Sequence, residues 1–181
     1  MAGRYPTEKP AITVALTSIT ASTILALNLI TPISLPPPLN PYPIRLTDAV
    51  SAVVSIINPL AGAVGSVIGH FVYDYLNLGL PGAIPALFAS WCYFFYGHIA
   101  RYKGRITAGR IALGALLCIA WLSIELSVSF SVILSIPFWP LFTTIFISIT
   151  LNVTIGNCLL MMILPRIKQY IPARLELKRI W

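Results

Sequence analysis

A few groups able to exchange protons or hold a polar ligand stand in a chain that is otherwise almost without them. Arg45 and Asp48 lie three residues apart, His70 and Asp74 four apart, and Glu125 sits in an apolar and hydroxylic run. Asn152 adds an amide near the middle of the last apolar segment. Residues three or four apart share a helix face. His70 with Asp74 has the form of a base and its orienter or of half a metal site. No second histidine cluster completes a metal centre, so neither a metal nor a cofactor is expected. The bland alternatives are equally physical. Arg45 and Asp48 can simply pair with each other, and Asp74 can mark a membrane boundary.

The elements that must position these groups are membrane helices. The 181 residues are 57% hydrophobic and 9% charged, against about 25% charged in a soluble domain. The apolar runs are long and do not alternate, which excludes a barrel, and bare backbone is too costly in lipid for anything but helix. The expected fold is all-α, a polytopic six-transmembrane-helix bundle with both termini cytoplasmic. Its spans cover about 11–31, 45–57, 59–77, 81–100, 108–130 and 139–164, with a basic, membrane-surface tail at 165–181. The first residues, MAGRYPTEKP, carry no cleavage-site pattern, so the first span is expected to be retained. Cys92, Cys118 and Cys158 fall inside apolar runs and read as small core residues.

The formal charge of +7 could suggest nucleic acid, but its placement speaks for topology. Apart from Arg45, the Lys and Arg residues fall at the N-terminus, in the 101–110 loop and in the tail. The positive-inside rule puts those three in the cytoplasm. The proline-rich stretch 32–43, the 78–82 turn and the 131–138 turn then face outside. Asp48, Asp74, Glu125, Arg45 and His70 collect in the outer half beneath a stiff strap. Charges within spans usually face a cavity or each other. Aromatic residues accompany them, among them Tyr73, Trp121 and Trp139, either as pocket walls or as an interfacial belt.

Small residues recur on two helices. Ala61, Gly65 and Gly69 give the third span a packing face, and Ala11 and Ala15 begin a similar stripe on the first. Such stripes let helices approach closely, inside the bundle or against a separate subunit. The chain has no P-loop, H-E-x-x-H or G-x-S-x-G motif and no obvious inverted repeat. A small bundle of this kind needs partners if it transports.

Three stretches carry a resemblance. They are Pro43 to Val50 (PIRLTDAV), the proline-then-small-residue helix from Asn58 to Gly69, and Ile136-Pro137-Phe138-Trp139 with the apolar run to Pro165. In order and spacing they resemble the substrate-binding (S) component of energy-coupling factor (ECF) transporters, most closely the queuosine-precursor transporter (QueT) family. Asp48 stands where that family usually has glutamate, and Asn152 where the last span often carries an acid. The nickel and cobalt relatives need a histidine near the amino terminus, where this chain has Ala2.

The resemblance implies a non-enzymatic subunit that captures a solute outside. It would dock through Ala11 and Ala15 on a membrane coupling (T) subunit carrying two cytoplasmic ATPases. The implied cargo is a 7-deazaguanine such as preQ0 or preQ1, or queuine. Its adjacent N–H donors suit a carboxylate. The candidate binding residues are Arg45, Asp48, His70, Asp74, Trp121, Glu125, Trp139 and Asn152. Three alternatives stay open: an S component for another vitamin, an intramembrane enzyme using His70, Asp74 and Glu125, and a scaffold subunit using the Gly65 and Ala15 faces.

Overall fold

A computed structural model describes residues 10–30 and 46–167 and the backbone of 176–177. Arg45, the proline-rich stretch 32–43 and most of the basic tail lie outside the described residues. Six helices follow in order: α1 (Pro10–Ile30), α2 (Thr47–Ile57), α3 (Pro59–Ala89), α4 (Cys92–Ala100), α5 (Ala108–Leu134) and α6 (Phe138–Ile167). The remaining regular structure among the described residues is a short 3-10 turn at Tyr102–Gly104 and a two-residue parallel pairing of Arg105–Ile106 with Glu176–Leu177.

Local chemistry sets the breaks. Asn58 is extended, and its side-chain oxygen accepts the Ala61 amide at 3.0 Å. Pro59 follows in the first helical turn, where its missing N–H costs nothing. Thr107 caps α5 in the same way through the Arg110 amide. Gly79 breaks α3 with φ 71° and ψ −171°, a conformation that only glycine adopts readily. Ser135 ends α5 in the left-handed region, and Pro137 precedes α6.

Two tight reversals follow. At Asn58 the chain folds α2 back along α3, so that Ser66 Oγ donates to Ser51 Oγ at 2.7 Å. A Cβ on Gly62 would lie 2.1 Å from Ser55 Oγ, so only glycine permits this approach. At Gly79 the second half of α3 returns along the first. His70 and Asp74 face Ala86, Ala89 and Ser90 across one cavity. Further down, Gly97 of α4 lies against Pro59 and the carbonyl of Ser55. α1 runs parallel to α3, with Thr13 beside Asn58, Thr20 on Gly65, Ile24 on Gly69 and Asn28 at His70. The packing face of Gly65 and Gly69 is therefore filled by α1, and Ala61 is fully buried. The main apolar core lies between α2, α4, α5 and α6, around Ile56, Tyr96, Ile111, Leu122, Ile145 and Ile149.

Among the described residues, four stretches are long and apolar enough to cross a membrane: Pro10–Ile30, Pro59–Ala100, Ala108–Leu134 and Phe138–Ile163. Large apolar side chains such as Val14, Leu116, Val132 and Met162 point outward from them. The described residues are almost entirely helical, and the protein is a multi-pass membrane protein of the all-α class. The helices differ from the expected spans in three places. In place of the expected second span, 45–57, α2 has 11 residues, about 16 Å, half of a ~30 Å hydrocarbon core. The expected third and fourth spans form one 42-residue run, about 63 Å if straight, which fits a bilayer because it doubles back at Gly79. The expected helix 81–100 is interrupted by a turn at Ser90–Trp91, and α4 restarts at Cys92.

Candidate functional site

Asp48, His70 and Asp74 meet at one cavity. Asp48 comes from the first turn of α2, and His70 and Asp74 come from successive turns of α3. All three side chains are buried. The returning leg of α3 adds Ala86, Ala89 and Ser90, α4 adds Tyr93, α5 adds Leu122 and Leu126, and α6 adds Ile149. Six helical legs thus converge on a space lined by two acids. The reversals at Asn58 and Gly79 make this possible, because they bring residues 48, 74 and 93 to one level.

Hydrogen bonds fix the polar walls. Tyr93 Oη donates to Asp48 Oδ1 at 2.5 Å, and a bond to a carboxylate is among the stronger kinds. The Asn28 amide lies 3.4 Å from His70 Nδ1. With Asn28 donating, Nδ1 is the acceptor and the ring proton sits on Nε2. The cavity measures about 20 Å³, room for a single water molecule and well short of a flat heterocycle. Among the described residues no three His, Cys, Asp or Glu side chains come together as a metal ion would need.

The other candidate residues lie elsewhere. Glu125 does not line the cavity, although Leu122 and Leu126 beside it on α5 do. It is half-buried, its Oε1 accepts from Ser129 Oγ at 2.7 Å, and its Oε2 is buried without a hydrogen-bond partner among the described residues. Trp121 is 44% exposed and its ring N–H donates to the Phe88 carbonyl at 3.3 Å. Trp139 is 73% exposed at the start of α6, edge-on to Phe138. Both indoles face outward and neither is a cavity wall, because the helix rotation that buries Leu122 and Leu141 turns them away. Asn152 is buried but does not line the cavity; Ile149, one turn earlier, does. Arg45 lies outside the described residues. On α1, Ala11 and Ala15 are exposed, on the side of the helix turned away from α3.

Sequence reasoning missed Tyr93, Ser90 and Asn28. Tyr93 had a usable signal, since it lies four residues before Gly97 and so shares its face. Gly97 marks the face of α4 that meets α2. No protein-family model, curated protein or solved structure matches the chain.

Proposed function

We propose that the protein captures a small polar solute within the membrane, as the substrate-binding subunit of an ECF-type importer. One observation carries the reading. Two carboxylates from different helices, Asp48 and Asp74, line the same buried cavity with His70 and Tyr93. Ionisable groups at membrane depth are expensive and mark substrate or ion paths. A pair of acids suits a ligand rich in N–H donors or carrying an amine, as a 7-deazaguanine of the queuosine-precursor class does.

The charge pattern gives the orientation. Six passes, with the short α2 counted as one, put both termini and the basic 101–110 loop in the cytoplasm. The cavity then opens from the outer half. The exposed Ala11 and Ala15 on α1 form the docking face for a coupling (T) subunit bearing two ATPases. The enzyme alternative needed Glu125 beside His70 and Asp74, and Glu125 lies off their cavity.

On this reading the 20 Å³ cavity widens to admit the solute. Ligand enters by separating the start of α2 from the 86–93 segment, which breaks or re-forms the Tyr93–Asp48 bond. The test is thermal unfolding of the purified protein against preQ0, preQ1, queuine and a panel of vitamins. Ligand at 100 times its Kd adds about 2.7 kcal/mol. A shift with the deazaguanines that is lost in Asp48→Asn and Asp74→Asn supports the reading. A shift with a different vitamin keeps the class and replaces the cargo. No shift with any compound, in folded protein, overturns solute capture.

A further inference from the structure

A second cavity lies on the opposite side of α2. It is a partly open groove of about 300 Å³ between α1, α2 and α6. Leu27 of α1 forms one wall, Val50, Val53 and Val54 of α2 the floor, and Leu159 and Ile163 of α6 the other wall. The lining is apolar throughout, so no polar solute gains by entering. Its length and volume limit what fits. The groove runs beside α2 from Leu46 to Val54. Its volume suffices for a single hydrocarbon chain of on the order of ten methylene groups, at the ~30 Å³ of a water-sized group.

The end of the groove says which chain. α2 descends towards Asn58, the end of the bundle where α1 begins and where Tyr102, Lys103 and Arg110 cluster. Ile163 lines the groove there, and Arg166 follows one turn later on α6, exposed. Lys and Arg at a membrane surface attract anionic headgroups. We propose that this groove is a lipid site holding one acyl chain of an anionic phospholipid, with its phosphate at Arg166. The proposal is independent of solute capture, because α2 separates the two cavities.

The test is native mass spectrometry of the full chain released from vesicles of equal phosphatidylcholine and phosphatidylglycerol. The expected result is one retained phospholipid per chain, with phosphatidylglycerol favoured at least fivefold. Val50→Phe and Val53→Phe fill the floor and should lower retention at least tenfold. Arg166→Gln should keep a lipid but bring the headgroup preference close to one. It lies on the exposed surface, so it gives a reading even if the groove variants fail to fold. Three results overturn the site: no retained lipid on folded wild type, equal retention in the groove variants, or an unchanged headgroup preference in Arg166→Gln. A dimer mass that the groove variants split would assign the groove to a second copy instead and also overturn it.

Discussion

The two faces of α2 could hardly differ more for a helix of eleven residues. One face carries Thr47, Asp48, Ser51 and Ser55, all buried, and meets the polar cavity and the Gly62 and Gly97 crossings. The other carries Leu46, Ala49, Val50, Val53 and Val54 and floors a 300 Å³ groove. In water such a helix would turn its serines outward. In lipid the preference inverts, because hydroxyls need partners that the bilayer does not supply. The polar face is bound by close backbone approach and directed hydrogen bonds. The apolar face meets α6 closely at Gly156, where a Cβ would lie 3.0 Å from the Ala49 nitrogen, and leaves space beside Val50, Val53 and Val54. Tolerance to substitution should therefore divide along the helix axis of α2.

The largest effect should come from the tight side. A Cβ at Gly97 would sit 2.2 Å from the backbone oxygen of Ser55, and backbone cannot swing aside as a side chain does. Gly97→Val should cost about 3 kcal/mol or more, at the top of the overpacking range, read as a fall in melting temperature and loss of monodisperse protein in detergent. Wild-type stability would show that α2 and α4 are not in close contact, and the comparison would fail at its base. Tyr93→Phe comes next. It removes the donor to Asp48, and hydrogen bonds to charged groups are worth about 1.5–3 kcal/mol. The same variant should change the response to solute, because Asp48 loses its orientation. Ser66→Ala should cost about 1 kcal/mol, since it removes the 2.7 Å bond to Ser51. Denaturation of both variants in one detergent gives the ranking, and a larger loss in Ser66→Ala than in Tyr93→Phe would reverse it.

Much of this arrangement was legible in the sequence where a residue acts locally. Asn58-Pro59 marks a helix start by its own chemistry, and the turn before α6 carries Pro137. The Gly65 and Gly69 face was readable because four-residue spacing is a property of the helix itself. The hairpin at 78–82 was readable from its glycine and proline, although the break at Ser90–Trp91 carries neither. The site was legible only in part. Asp48, His70 and Asp74 converge because two reversals happen to bring them level. Trp121, Trp139 and Glu125 have the right composition but the wrong rotation about their helix axes, and rotation is set by packing against other helices. Tyr93 was hidden for the same reason, among aromatic neighbours of which Phe95 faces outward.

The smallest effect should come from the open side of α2, and it sharpens the comparison most. Ala52 and Val53 are adjacent in sequence and about 100° apart around the helix. Ala52 is buried in the main core, and Val53 is half-buried, with one side against that core and the other lining the groove. Ala52→Phe should cost about 1–3 kcal/mol by overpacking. Val53→Phe has space to enter and should stay within about 0.5 kcal/mol of wild type in lipid-free detergent. Added phosphatidylglycerol should then separate them. Wild type and Ala52→Phe should both gain stability from the bound lipid, and Val53→Phe should gain none, because its own ring occupies the chain's position. A cost for Val53→Phe as large as for Ala52→Phe would mean that the groove is closed in solution and that α2 has two tight faces. A gain from lipid equal to that of wild type would mean that the lipid binds elsewhere, even if the faces differ as described.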